Sequence, residues 1–199
     1  MSCSDIIVLV MAAGQSRRFG SDKRVAKLAN GRPLLATTLK TIEKSFTHSR
    51  VVLKPDESAL SVGLPPSTPS MISHRSALGL GYSISDAFAQ LCRDESTTKY
   101  RAAAIWLADL PWVTQRSCKT LIDLAAPDNI VQPLCGEYPG HPVIFGRNFW
   151  SHLAELEEFG GASSIIRQHK NSVVTVLLND PGIHTDIDYP NDLFKLPAT

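Results

Sequence analysis

The stretch Val10-Met11-Ala12-Ala13-Gly14-Gln15-Ser16-Arg17-Arg18-Phe19-Gly20-Ser21-Asp22-Lys23 gathers residue types that hold an anion. An apolar run, Ile6 to Val10, leads into small residues, and the cations Arg17, Arg18 and Lys23 follow, with Gly14 and Gly20 marking bends. Gly14 carries no Cβ, so the main chain there can approach a ligand closely. Consecutive backbone N–H groups in such a turn form an anion-binding concavity. A triphosphate, with several negative charges, suits the loop. It is neither of the two best-known phosphate motifs. No Lys-Ser or Lys-Thr follows Gly20, as a P-loop requires, and the glycines are six apart with cations between, which is not Gly-x-Gly-x-x-Gly. The plain alternative is a surface turn with solvated cations.

Three further groups carry chemistry. Asp109 follows a continuous apolar run, Ala102 to Leu107, and Leu110-Pro111 turns the chain away behind it. A carboxylate fixed at such a strand end suits magnesium, which takes oxygen donors and is held by one or two carboxylates plus phosphates. The competing role, capping the next helix, is better filled by Thr114. Asp186 and Asp188 are two apart and share a face if that segment is extended. Asp188 could instead cap a last helix with Pro190 in its first turn, where Asp192 would suit the helix dipole. Gly79, Gly81 and Ser83, in Gly79-Leu80-Gly81-Tyr82-Ser83-Ile84, offer close backbone contact and a hydroxyl to a nucleobase, or else form a turn with Ser83 as cap. His141 stands before Pro142-Val143-Ile144-Phe145, where a histidine is as often a hydrogen-bonded turn residue as a functional one.

The opening loop resembles the signature of the nucleotidyltransferases that share the molybdenum-cofactor cytidylyl- and guanylyltransferase fold. That signature is Ala-Ala-Gly-x-Ser-x-Arg-x-Gly followed by Lys, and Ala12, Ala13, Gly14, Ser16, Arg18, Gly20 and Lys23 fill it. Asp22-Lys23, Leu28 and Gly31-Arg32-Pro33-Leu34-Leu35 continue the likeness, although Lys27 stands where Pro is usual. Asp109-Leu110-Pro111 resembles the family's Asp-x-Pro. Asp186 to Leu193 resembles its Asp-Ile-Asp-Thr-Pro-Glu-Asp-Leu, with Tyr189 for Thr and Asn191 for Glu. The segment at Gly79 is similar to Gly-Leu-x-x-Ser of the cytidylyl branch, and Gly140-His141-Pro142-Val143-Ile144-Phe145 to Gly-His-Pro-Val-x-Phe. Glu158-Phe159-Gly160-Gly161-Ala162-Ser163 departs from Gly-Asp-x-Gly-Ala-Arg and lacks its acidic and basic places, which bears on the acceptor.

The resemblance implies a Rossmann-like three-layer fold and a Mg2+-dependent transferase. CTP, or GTP in the sister branch, and molybdopterin would be the substrates, and a molybdenum-dependent oxidoreductase the recipient of the product. Arg18 and Lys23 would cradle the phosphates and Asp109 would act in catalysis. Ala12, Ala13, Gly14, Ser16, Gly79, Gly81 and Ser83 would line the nucleotide. Asp109 and Asp188 would hold the metal, with Asp186 as substitute for the latter, and His141 would face the acceptor. Another phosphorylated acceptor, or a nucleotide-binding regulator or cofactor chaperone without turnover, are the rival readings.

These groups need elements to place them. Ile6 to Ala12 reads as a buried first strand, continuous rather than alternating, as in a parallel sheet. Leu34, Leu35, Leu39 and Ile42 recur at helical spacing after Pro33. The sequence predicts strands at 51–53, 70–72, 102–107, 130–131, 142–145 and 173–178. A helical pattern is expected to follow the segment Gly79 to Ile84 and run to Leu91, and further helices over 114–126, 148–156 and 162–167 and from Pro190. Residues 54–69 hold four of the thirteen prolines and read as a crossover loop. Strands alternating with helices give α/β architecture, a mostly parallel sheet covered on both faces. Ligands of such sheets bind outside the carboxyl ends of the strands, where the opening loop and Asp109 both fall.

The 199 residues suit a single domain, 1–199, and a hydrophobic share of 43% supports a sizeable core. Lys plus Arg number 20 and Asp plus Glu 19, so no global field favours nucleic acid. The four cysteines, at 3, 92, 118 and 135, form no Cys-x-x-Cys and join no histidine cluster, so a disulfide framework or zinc site is not expected. Reduced thiols fit a cytoplasmic protein. The first apolar run is too short to span a bilayer and lacks the flanks of a signal peptide, so no membrane association is expected.

Overall fold

The structure is a computed structural model and describes residues 1–156 and 161–194. Its centre is β1 (Ile6–Met11), buried along its whole length. Parallel neighbours flank it on both edges, β2 (His48–Leu53) through Val10↔Val51 and β4 (Ala102–Leu107) through Val10↔Trp106. β3 (Ser70–Ile72) continues the sheet beyond β2, also parallel.

On the other side β7 (Val143–Gly146) runs antiparallel to β4. It pairs in turn with β5 (Ile130–Cys135), again antiparallel. β8 (Val173–Leu177) lies parallel to β5. The two-residue β6 (Tyr138–Pro139) folds back on the end of β5. Residues 130 and 134 of β5 each have partners on two strands, so β7 and β6 share one edge of β5 and β8 takes the other. The sheet is thus mixed: a parallel half carries the opening loop and Asp109, and a half with an inserted antiparallel strand carries His141.

Both faces are covered, which explains why β1 and β4 read as continuous apolar runs. Ile6, Val8, Val10, Ala104 and Trp106 point to one face. There they pack on α1 (Leu34–Glu43) and α3 (Gln115–Leu124) through Leu35, Leu39, Ile42, Cys118 and Leu121. Ile7, Leu9, Met11, Ala103 and Ile105 point to the other face. They meet α2 (Leu80–Arg93), α4 (Trp150–Ala154) and α5 (Gly161–Gln168) through Ile84, Phe88, Trp150, Leu153 and Ile165. Edge-to-face pairs of Phe46 with Trp106 and Phe88 with Trp150 lie one on each side. The three-layer expectation holds.

Several boundaries differ from the sequence reading. β2 starts at His48, three residues early, because pairing with β1 (Ile7↔His48) extends a strand whose first half is only half-buried. β5 continues through Gln132-Pro133 to Cys135, held by β8. The helix expected over 148–156 is a 3-10 turn, Arg147–Phe149, followed by the short α4. The last element among the described residues is a 3-10 turn, Pro190–Phe194, where a helix from Pro190 was expected. Glu158, Phe159 and Gly160 of the acceptor segment lie outside the described residues. No helix among the described residues is long and apolar enough to cross a membrane.

Candidate active site

β1 and β4 end side by side, with Met11 opposite Leu107. The chain leaves β1 as the loop 12–22 and leaves β4 toward Asp109, so both reach the same rim. Three hydrogen bonds fix the turn that carries Asp109. The Thr38 hydroxyl of α1, fully buried, donates to the Ala108 carbonyl at 2.7 Å. Trp106 Nε1 donates to the Leu110 carbonyl at 3.1 Å, and Thr41 Oγ1 to that of Pro111 at 2.8 Å. Asp109 does not cap a helix; Thr114 caps α3, accepting from Ser117 N.

The second carboxylate segment comes from the far end of the chain. Ile187 is wholly buried with Phe19, Leu28 and Leu34, while Asp186 and Asp188 on either side of it remain accessible. Packing of Phe19 on Ile187 ties the opening loop to this segment. Asp192 Oδ2 accepts from the backbone N–H groups of Asp188 and Tyr189, so Asp192 rather than Asp188 secures the last turn.

The charges then converge. Lys23 Nζ donates to Asp109 Oδ2 at 2.6 Å, to Asp188 Oδ1 at 3.2 Å and to the Ile187 carbonyl at 2.9 Å. Arg18 Nη1 donates to Asp188 Oδ2 at 2.7 Å. Burial opposes the charge on Lys23, but Asp109 and Asp188 outweigh it and its pKa is raised. Burial likewise opposes the charge on Asp188, and Lys23 and Arg18 outweigh it, so its pKa falls. Asp186 goes the other way: burial, then the charges of Asp109 and Asp188, push its carboxyl up.

Carboxylate oxygens of Asp109, Asp186 and Asp188 lie within 4.8 Å of one another. Asp109 Oδ1 is buried and has no hydrogen-bond partner among the described residues. An orphaned buried carboxylate oxygen is costly. Three hard oxygen donors around it fit a small divalent cation such as magnesium or manganese.

A pocket of about 540 Å³ opens above these groups. Ala12, Ala13, Gly14, Ser16, Arg18, Lys23, Gly79, Ser83, Asp109 and Asp188 all line it. The structure therefore brings together ten residues that the sequence singled out from four distant segments. Lys27, the rival to Lys23, is exposed and does not line it. Arg17 lines the mouth, its Nε bonded to Gln15. Gly79 (φ +133°), not Ser83, is the N-cap of α2, and no side chain caps it. The N–H groups of Leu80, Gly81 and Tyr82 are first-turn groups without intrahelical acceptors. The Ser83 hydroxyl lies 3.3 Å from that of Ser73 and 3.5 Å from the Gly79 carbonyl.

His141 and Gly81 line a second pocket, which shares Leu80 with the first. His141 Nδ1 is 3.1 Å from the Ile105 carbonyl and its backbone N–H donates to Ile183 O at 2.7 Å. Gly81 is where α2 meets α5: a Cβ there would lie 3.2 Å from Gly161 Cα.

Two positioning networks escaped the sequence reading. Arg24 is buried and makes five side-chain hydrogen bonds: two to Asp22, two to Glu57 and one to the Ala12 carbonyl. It clamps the two ends of the opening loop to the loop after β2. Asp86 accepts from Ser73 Oγ and from the backbone and Nε of Arg75, fixing the segment that leads to Gly79. A charged pair beside a motif was visible in Asp22-Lys23-Arg24, but Glu57 lies 33 residues from Arg24, and no spacing rule links them.

Residues 8–173 match the MobA-like NTP transferase domain. The chain belongs to the MobA-like NTP transferase family. No curated protein matches the chain. Solved structures share the fold of this family member over nearly its full length. A homolog of Mycobacterium tuberculosis Rv0371c from Mycobacterium sp. strain JC1 is 24% identical with a TM-score of 0.79, covering 96% of this chain and 94% of that one. Rv0371c of M. tuberculosis in complex with manganese is 19% identical with a TM-score of 0.70, covering 96% and 94%. Molybdopterin-guanine dinucleotide biosynthesis protein A from Archaeoglobus fulgidus is 16% identical with a TM-score of 0.68, covering 94% of each chain.

Proposed function

We propose that this nucleotidyltransferase moves CMP from CTP to the terminal phosphate of molybdopterin, releasing pyrophosphate. The observation that carries the reading is the meeting of Lys23 and Arg18 with Asp109 and Asp188 on the floor of the loop-built pocket. Cations that face a phosphate pocket and carboxylates that fit a metal are the two parts that phosphoryl transfer requires.

In this reading the backbone of Ala12 to Ser16 holds the phosphates, and Arg18 and Lys23 turn from their carboxylate partners to the incoming oxygens. The acceptor phosphate attacks the α-phosphorus in line with the departing pyrophosphate. A phosphate is already ionised at neutral pH, so no general base is needed. Lys23 steadies charge at the reacting centre. Asp109 and Asp188, with Asp186 beside them, are the residues that would hold Mg2+, whose contribution is neutralisation of phosphate charge. Gly79 and the first turn of α2 would meet the base, by backbone more than by the Ser83 hydroxyl, whose neighbours are Ser73 and Gly79. CTP is favoured over GTP by the Gly-Leu-x-x-Ser pattern at Gly79. The product would pass to a molybdenum-dependent oxidoreductase.

Pyrophosphate release with magnesium tests the reading, with CTP or GTP offered in turn, each with and without molybdopterin. Release that needs both CTP and molybdopterin is the expected result. Release with GTP keeps the mechanism and overturns the base choice. Release only with a phosphorylated sugar or alcohol overturns the acceptor.

A further inference from the structure

Arg24 is buried, and every donor it owns is engaged. A guanidinium carries five N–H groups in a rigid planar fork. Nε donates to Asp22 Oδ1 at 2.8 Å, and Nη2 to Asp22 Oδ2 at 2.7 Å and to Glu57 Oε1 at 2.6 Å. Nη1 donates to Glu57 Oε2 at 2.8 Å and to the Ala12 carbonyl at 2.9 Å. One nitrogen thus joins the first carbonyl of the opening loop to an acid on the turn after β2. That acid is itself held, since the Lys54 backbone N–H donates to Glu57 Oε2 at 3.1 Å. Arg24 borders the nucleotide pocket but has no N–H left over for a phosphate.

The Ala12 N–H donates to the Val52 carbonyl at 3.0 Å, so Ala12 is pinned through both its backbone groups. In a trans peptide the carbonyl and the following N–H point in opposite directions. The Ala13 N–H is therefore directed away from Arg24. Ala13 lines the nucleotide pocket and is 3% exposed. Neither its N–H nor that of Gly14 has a hydrogen-bond partner among the described residues. Buried backbone N–H groups are paired in the great majority of cases, so bare ones in a pocket wall mark a place for an acceptor oxygen.

Backbone strain points to the same two segments. Among the described residues, Ser16 (φ +49°) and Asp56 (φ +63°) are the non-glycine residues with left-handed backbone. One stands in the opening loop and the other beside Glu57, and Arg24 ties those segments together. Strain of this kind persists where the surroundings over-determine it, as at ligand clamps.

We infer that Arg24 is a positioning residue for the phosphates: without touching them, it holds the Ala12 carbonyl against Glu57 and so sets the direction in which the Ala13 and Gly14 N–H groups meet them. This rests on the reading of the pocket as a nucleoside triphosphate site, not on the identity of the acceptor. Charge alone does not perform the role. Lysine would keep the charge, but it has three donors on a flexible stem and cannot reproduce the planar fork.

Calorimetric titration of the intact protein with CTP and magnesium tests this on the unaltered chain, Arg24→Lys and Glu57→Gln. Mn2+ binding without nucleotide, followed by paramagnetic resonance, is measured beside it, because Asp109, Asp186 and Asp188 share no hydrogen bond with Arg24. Arg24→Lys should weaken CTP at least about 10-fold, the loss expected for one well-placed hydrogen bond. Its Mn2+ affinity should stay within about 2-fold, a change too small for a lost bond. Glu57→Gln leaves Arg24 in place but loosens its anchor, and should weaken CTP at least about 3-fold, the low end for one bond. Inorganic triphosphate, which has no base, should lose affinity by a similar factor in each variant. Should Arg24→Lys fail to fold, Glu57→Gln decides by the same readouts. CTP affinity kept in Arg24→Lys would make the role one of charge and overturn the inference. CTP and Mn2+ affinities falling together, or CTP weakened with inorganic triphosphate unaffected, would overturn it as well. CTP bound with this pattern but never turned over would leave it standing while the transfer reading fell, and no CTP binding by the unaltered protein would overturn both.

Discussion

Lys23 Nζ lies 2.6 Å from Asp109 Oδ2 and 3.2 Å from Asp188 Oδ1, so one ammonium spans two carboxylates that stand 86 and 165 residues away in the chain. It holds the place between the acids that a cation would share, and it faces the pocket where phosphates would lie. Lys23 is thus a tie between distant segments and, in the proposed transfer, the charge nearest the reacting phosphorus.

Replacing it separates those roles. In Lys23→Met, three acids are left facing one another. Without divalent cations we expect a loss of about 1–3 kcal/mol in urea unfolding, the cost of buried polar groups left unpaired. Added Mg2+ should restore part of it, because a ligand that binds only the folded state stabilises it. Pyrophosphate release should fall about 10²–10³-fold even in saturating Mg2+, as for loss of one fixed donor at a developing charge. Unchanged turnover would reduce Lys23 to a structural tie.

Asp109→Asn tests the metal. The amide is close to isosteric and its oxygen can still accept from Lys23, so the fold should stand. Mn2+ binding, followed by its paramagnetic resonance, should weaken by at least about 10-fold, since hard cations depend on carboxylate charge. Turnover should vanish while nucleotide binding is partly kept. Equal Mn2+ affinity in both proteins would remove Asp109 from the ligand set.

Gly14 and Gly20 are expected to respond in opposite ways. A Cβ at Gly14 would meet no protein atom within 4 Å, and the backbone there is not left-handed, so the fold does not demand glycine. Gly14→Ala should change stability by less than about 0.5 kcal/mol. It should weaken CTP binding in calorimetry, because the methyl group intrudes on the phosphates. Gly20 has φ +78°, and Gly20→Ala should cost about 1 kcal/mol in unfolding. A CTP affinity untouched by Gly14→Ala would place the phosphates elsewhere.

Arg24 predicts an acid limit to stability. The Arg24 hydrogen bonds hold Asp22 below its ordinary 3.8. Burial raises Glu57 but the bonds from Arg24 outweigh it, and its pKa lies below the ordinary 4.5. Both carboxyls release protons more readily in the folded state than in the unfolded one. Their contribution is complete above about pH 4.5 and is lost as the pH falls through the lowered folded values. Arg24→Met should lose about 3 kcal/mol at pH 7, the low end for breaking a buried pair because Asp22 and Glu57 can rehydrate. It should also show a flatter decline below pH 4.5. Parallel declines in urea midpoint for the two proteins would contradict the assignment.

The sequence carried the central architecture because burial on both faces writes itself as unbroken apolar runs. Ala102–Leu107 and Ser70–Ile72 appeared at the boundaries the structure gives. The antiparallel placing of β7 between β4 and β5 left no such trace, since its residues are as apolar as a parallel strand's and direction is set by the connections. His48 to Arg50 join β2 by backbone pairing, which periodicity does not register. At the site, short-range signals of residue type and spacing located the loop, Asp109 and Asp188. Their pairing through Lys23 and Arg18, the Arg24–Glu57 clamp and the Thr38 bond to Ala108 are tertiary, made between segments tens of residues apart. The orphaned Oδ1 of Asp109 is likewise visible only once its surroundings are packed.

The central claim, that Lys23, Arg18 and Asp109 hold a nucleoside triphosphate for attack at its α-phosphorus, is tested most directly by following that atom. CTP labelled at the α-phosphate is incubated with magnesium, molybdopterin and either the unaltered protein or Asp109→Asn. The account predicts that label enters a CMP-linked product in step with pyrophosphate release, and only with the unaltered protein. Label recovered as unchanged CTP, or equal transfer by Asp109→Asn, would contradict it.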